Sequence, residues 1–433
     1  MNPTHDDKPA PSRRGFLAAT LGLAAAAGAD FGARTVTQAA ASMAGALPRG
    51  ISPDAIEPFW GEHQGGILTP LQSHTYFASF DLATTKRQEA IDLLQRWTSA
   101  AGRMSLGQPA EKLGDDPTAS DSGEAMGLPS SRLTITFGFG PSLFIKNGQD
   151  RFGLAARRPE AMVDLPRFNG DQLVEAHTGG DLSVQACAED PQVAFHAVRQ
   201  LARVAYGVAQ IRWAQTGFLP AMQANQTPRN LMGFKDGSNN PSIDDPALMD
   251  QFVWVGSEGP NWMRGGSYLV VRRIRIALEH WDRMNLAFQE QTIGRRKLSG
   301  APLGAQSEFA EVNLDAADAD GNPLIADNAH IRLAAAASND GVRILRRPYS
   351  YNDGVNFTAE RWPPWRQGME YDAGLFFIAY QRDPRTGFIK IFDNMSKLDM
   401  LNQFATHTGG GLFACPGGIG QGEYVGQRLF EAT

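Results

Sequence analysis

Sulfur is scarce in this sequence. Its 433 residues contain two cysteines, Cys187 and Cys415. That excludes a disulfide framework and any site built from several thiolates, iron–sulfur clusters included. One bridge between the pair stays open. The common signatures of nucleotide and hydrolytic enzymes are missing as well. No Gly-Lys-Ser/Thr loop, no GxGxxG after a strand, no GxSxG and no HExxH occurs. P-loop, dinucleotide, α/β-hydrolase and zinc-hydrolase chemistry therefore find no anchor. Excess positive charge is also lacking. There are 46 acidic residues against 40 basic ones, a net charge of −6, which attracts neither nucleic acid nor an anionic membrane. Beyond the N-terminus no apolar run is long enough to span a bilayer, so an integral membrane protein is not expected. Chemistry carried by a cofactor becomes the better reading.

What the chain does have begins at its N-terminus. Ser12-Arg13-Arg14-Gly15-Phe16-Leu17 opens a Gly/Ala/Leu run that ends near Ala29. Small residues follow at Ala39-Ala40-Ala41 and Ala44-Gly45-Ala46. A basic start, a short apolar middle and small-residue cleavage sites are the order of an export signal. The paired arginines look like the twin-arginine type, which implies export of a folded protein and favours a cofactor inserted beforehand. Residues 1–46 are thus read as signal peptide and cleavage region, and the mature protein as periplasmic or secreted.

The remaining length allows two domains. His74–Phe80 reads as a strand. A helix is expected over 85–104, where Ala90, Leu94, Trp97, Ala101 and Met104 recur at helical spacing. Polar, Gly- and Pro-rich residues 107–129 read as a loop. Leu133–Phe139 alternates like a half-buried strand, 181–187 is another strand, and Asp190-Pro191 starts a helix reaching about Tyr206. The second half repeats the order: strand over 267–277, helix over about 279–295, strand 376–380, helix 397–405, strand 411–414. Strand–helix–strand occurring twice in each half predicts a split βαβ unit. The expected fold is α+β, with two ferredoxin-like domains over 60–226 and 227–433 and antiparallel sheets. Arg272, Arg273 and Arg275 are expected on a strand with a solvated face.

Three short stretches carry the chemistry. Gly233-Phe234-Lys235-Asp236-Gly237 sets a carboxylate in a tight turn, Ala329-His330-Ile331-Arg332 holds a histidine, and Ile344-Leu345-Arg346-Arg347 pairs two arginines. Alone, Asp236 reads as an ordinary Asp-Gly turn residue. Together the three offer what a haem peroxidase needs. An imidazole holds iron, a base moves the proton of hydrogen peroxide, and a fixed cation steadies the charge that develops as the O–O bond breaks.

With Gly179–Ala188 and Gly374-Leu375-Phe376-Phe377, these stretches spread the likeness from about residue 60 to the C-terminus. The chain resembles the dye-decolorizing peroxidases, in particular the exported, deferrochelatase-type subgroup. The resemblance implies one haem b (heme b) per chain, held mainly by the C-terminal domain. It implies His330 as the iron ligand, Asp236 as distal acid–base and Arg346 as distal cation, with Arg347 as the other choice. Gly237, Ser238, Asn239, Ala335, Ala336 and Ala337 would lie against the haem, and Arg332 would pair with a propionate. Ser238 stands where Thr is more usual, with the hydroxyl kept. Pro348 replaces an expected Gly and fixes the local backbone. Asp383 is offered as the hydrogen-bond partner of the ligand histidine, and Trp254, Trp262, Trp281 and Tyr351 as electron relays. The implied activity is peroxide-driven oxidation of bulky dyes or phenol-like reductants. The rival readings are a deferrochelatase that frees iron from intact porphyrin and a non-catalytic haem- or iron-binding part of an uptake system, working with a permease and a periplasmic carrier. A homo-oligomer is among the assemblies this allows.

Overall fold

The structure is a computed structural model and describes residues 52, 54–112, 121–220, 226–359 and 367–431. The expected export segment, 1–46, lies outside the described residues. The first half runs β1 (His74–Leu82), α1 (Arg87–Met104), β2 (Thr134–Phe139), β3 (Leu182–Ala188), α2 (Pro191–Val204) and β4 (Ala209–Phe218). Its strands pair antiparallel in the order β2-β3-β1-β4. The second half runs β5 (Ser267–Ile276), α3 (Leu286–Ile293), α4 (His330–Ala334), β6 (Leu345–Arg346), β7 (Tyr349–Ala359), β8 (Gln367–Gln381), α5 (Phe388–Leu398) and β9 (Ala405–Cys415). Its main strands pair antiparallel as β9-β5-β8-β7. Both are split βαβ units with the same strand order.

The two sheets join at single rungs, Phe139 to Ala414 and Phe218 to Ser350. Because β5 also pairs with β8, the path β5-β9-β2-β3-β1-β4-β7-β8 returns to its start as a closed ring.

Local sequence explains the first half well. α1 buries Ala90, Leu94, Trp97, Ala101 and Met104, the residues at helical spacing. α2 begins as expected, with Pro191 in its first turn and the Asp190 carboxylate accepting from the amides of Gln192 and Val193. Trp97 is 1% exposed, lies between Phe80 and Phe137, and donates its indole N–H to the Leu201 carbonyl at 2.8 Å. That ties both helices over one packed core. At the edge of this core His196 meets two carboxylates, Asp121 on Nε2 and Glu124 on Nδ1, each at 3.2 Å. These are the one group of three or more metal-ligand types brought together among the described residues. The cluster joins α2 to the 121–124 loop as a staple at the core edge.

The second half departs from expectation in three places. The helix expected over 279–295 is broken into a short turn, Leu278–Trp281, and α3, which Asn285 caps through the Phe288 amide. Gly294 ends α3 at φ +88, where an added Cβ would lie 2.6 Å from the Ile331 side chain. The helix expected over 397–405 lies earlier, as α5. Phe388, Ile391, Phe392 and Met395 set its apolar period, and Asp399, in extended conformation, stops it and caps the next turn through the Leu401 amide. The arginines of β5 are not solvated. Arg272 is buried beside Asp171 and over the rings of Phe168 and Phe388, while Arg273 pairs with Asp353 and Asp372. Between α3 and α4, residues 294–329 carry no helix or strand.

Candidate active site

The second half leaves a cavity beneath its sheet. It opens to solvent, and its empty space, the open mouth included, comes to about 1630 Å³. Ile274 and Ile276 of β5, Leu375 and Phe377 of β8 and Ile391 of α5 form apolar walls.

Three polar side chains from distant parts of the chain reach this space. His330 begins α4, and its Nδ1 lies 2.7 Å from Asp399 Oδ2. Burial works against charge on this imidazole, but the Asp399 carboxylate outweighs it and raises the pKa above its ordinary value. With Nδ1 held, Nε2 is the nitrogen left to bind a metal. The partner is therefore Asp399 and not Asp383, whose carboxylate pairs with Arg385 at 2.8 Å. Asp236 sits in a turn fixed by its amide on the Pro228 carbonyl and by Gly237 at φ +116. Arg346, on β6, donates from Nη1 to Asp236 Oδ1 at 2.8 Å. Its neighbour Arg347 points the other way, as strand alternation requires, and is spent on the Thr69 carbonyl and Gln72.

Gly237, Ser238, Asn239 and Ala336 line the cavity together with these three. Ala335 and Ala337 do not; Ala334 takes that place. Arg332 is not on the wall either. Its guanidinium is occupied by the carbonyls of Ile325 and Leu314. Sequence reasoning missed Arg343 and Arg295, two cations on the cavity wall. It also missed Asn240, which bonds the Arg346 backbone in both directions, at 2.7 and 3.2 Å, and so locks β6 to the Asp236 turn. His407 reaches the wall as well. Burial, then Arg272, push its pKa well down, and its Nδ1 has no hydrogen-bond partner. It lacks the carboxylate that orients a ligand histidine. None of the four relay candidates is at the surface: Trp254, Trp262, Trp281 and Tyr351 are all buried.

Comparison with known proteins gives the family. Residues 64–219 match the family model for the N-terminal part of Dyp-type peroxidases, and 227–420 the model for the C-terminal part. The chain belongs to the Dyp-type peroxidase family. A dye-decolorizing peroxidase of Thermobifida fusca is 36% identical, with 100% of both chains covered. A deferrochelatase of Escherichia coli is 35% identical over 97% of each. The solved structure of an oxyferrous/water mixed complex of DtpA from Streptomyces lividans is 41% identical, with a TM-score of 0.79, and covers 87% of this chain and 98% of that one.

Haem is the cofactor of Dyp-type peroxidases, and this chain is a haem-dependent enzyme of that type. The cavity suits the group. Its walls are apolar, one imidazole has a carboxylate on its far nitrogen, and a carboxylate–guanidinium pair shares the space. Among the described residues no helix is long and apolar enough to cross a membrane.

Proposed function

We propose that this Dyp-type peroxidase reduces hydrogen peroxide in the cavity beside Asp236 and takes electrons from bulky aromatic reductants. The carrying observation is the 2.8 Å bond between Asp236 and Arg346, residues 110 positions apart, in the cavity that also holds the Asp399-tethered His330. His330 Nε2 would hold the haem iron, and the haem supplies two-electron reduction of peroxide. The Asp236 carboxylate accepts a proton from the entering peroxide and returns it to the departing oxygen. Arg346 keeps that carboxylate aimed and steadies negative charge on the departing oxygen. Arg343 is the cation on hand for a propionate, since Arg295 is buried and bonded to the carbonyls of Gly300 and Glu308. Trp281 supports an inward path for electrons, because its indole bonds the carbonyl of Met232, a cavity-lining residue. The N-terminal Arg13-Arg14 signal supports export to the periplasm or beyond, with haem already in place.

The test is a peroxide titration of haem-loaded protein, wild type beside Asp236→Ala, Arg346→Ala and His330→Ala. Turnover of a bulky dye is followed across pH. We expect wild type to keep its rate near pH 4–5, where a distal imidazole would be protonated and a carboxylate base still works. Asp236→Ala should slow the peroxide step by about 10²–10⁴-fold, and His330→Ala should lose haem. Unchanged rates in both distal variants would end this reading.

The likeness to proteins named deferrochelatase supports a second reading for the same cavity, release of iron from haem. Its product decides: free protoporphyrin instead of oxidised dye.

A further inference from the structure

Both flanks of Asp236 are held by one carboxylate. Glu308, within 294–329, pairs with Lys235 and accepts the Ser238 hydroxyl at 2.9 Å. Its side chain is 9% exposed. The same segment grips the turn elsewhere. Arg229 donates to the carbonyls of Lys297 and Leu298 at 2.6 and 2.7 Å. The two pieces also touch through their lysine side chains: a Cβ on Gly300 would lie 2.7 Å from Lys235 Cδ, and one on Gly233 2.7 Å from Lys297 Cε. Burial pushes the Glu308 carboxyl up, but Lys235, Thr227 and Ser238 outweigh it and hold it below the usual carboxylate range. The clamp is therefore charged in mild acid.

Glu308 does not bond Asp236 itself. It fixes the residue before Asp236 and the second residue after it, which leaves the intervening backbone little freedom. We infer that Glu308 is a positioning residue for the peroxide step, holding the 235–238 turn so that Asp236 stays on Arg346 and faces the cavity. This rests on the role given to Asp236 above. Segment 294–329, which gives Arg295 and Val312 to the cavity wall, then also sets the aim of the distal carboxylate.

The test uses the holoenzyme, with Glu308→Ala and Glu308→Gln read beside Asp236→Asn. Stopped-flow mixing with hydrogen peroxide gives the first-step rate against pH. Haem titration and amide exchange over 229–240 are measured on the apoprotein. Glu308→Ala should slow the first step by about 10–100-fold, the scale of a roughly 1 Å misplacement, with haem affinity unchanged. Glu308→Gln keeps an acceptor for Ser238 and loses the charge facing Lys235, so it should fall between Ala and wild type. The pH profile of the first step should change in the Ala variant, because the Asp236–Arg346 contact is no longer held in place. Amides of 235–238 should exchange faster. Faster exchange with an unchanged rate and pH profile would make Glu308 a structural clamp only and overturn the inference. So would wild-type behaviour in every readout. If Asp236→Asn leaves the rate intact, it is the Asp236 assignment that fails, and the positioning role falls with it.

Discussion

The two halves lay the same strand order under very different helices. In the first, α1 spans 18 residues and α2 14, and they close over the sheet with Trp97 between them. In the second, α3, α4 and α5 span 8, 5 and 11. Helices this short cannot cover their sheet. Where Phe80 and Phe137 meet Trp97 in the first half, Ile274, Ile276, Leu375 and Phe377 line the cavity in the second. The site lies where one copy of the architecture withholds its core. Exposed apolar wall is unfavourable in the empty protein, and a cofactor that binds only the folded state offsets it by mass action. The packed half is scaffold and the hollow half is receptacle.

Breaking the scaffold should have the largest effect. Trp97→Ala should cost about 3–5 kcal/mol, seen as a lower melting temperature in apo and holo protein alike, with the peroxide rate of the surviving folded fraction unchanged. A haem site that fails before the protein melts would blur the division between halves. Next comes the receptacle. Asp399→Asn should weaken haem retention about 10–100-fold, the usual cost of losing a carboxylate behind a ligand histidine, measured by transfer of haem to an acceptor protein. In the apoprotein it should also be destabilising in acid. The raised pKa of His330 gives stability that is full below the ordinary value of 6.5 and fades as pH rises through the folded value. The penalty should therefore shrink toward alkaline pH. The smallest effect belongs to the staple at the edge of the packed half. Burial alone would raise the Glu124 carboxyl, but Ser122, its own backbone amide and His196 hold it at about 2, against an ordinary value of 4.5. Its contribution should be full above 4.5 and lost as pH falls toward 2. Melting curves of Glu124→Gln should thus run below wild type at pH 6 and converge with it near pH 2.

Much of the scaffold was legible because its signals are local. Periodic apolar residues mark α1, and Asp190-Pro191 marks the start of α2. The three polar groups of the cavity were legible for a similar reason, since each sits in a short, dense stretch. Their supports were not. Asp399 lies 69 positions from His330, and Glu308 lies 70 from Ser238. Nothing in the neighbouring letters joins them; only folding does. Asp383 was the wrong choice because any loop carboxylate serves equally until a helix end places one. Aromatic letters carry no exposure, so four buried rings passed for surface relays. The bulge between Arg273 and Ile274 is likewise invisible in sequence, and β5 carries its arginines into tight ion pairs rather than toward water.

The closed ring sets where the molecule comes apart. A linear sheet frays from its edges, but here every main strand has a neighbour on both sides. The ring's weak points are its two single-rung seams, at Phe139 and Phe218. Partial opening should begin at these seams. Each would then release two bare strand edges at once, so a brief loss of one rung would turn a closed ring into a template for aggregation.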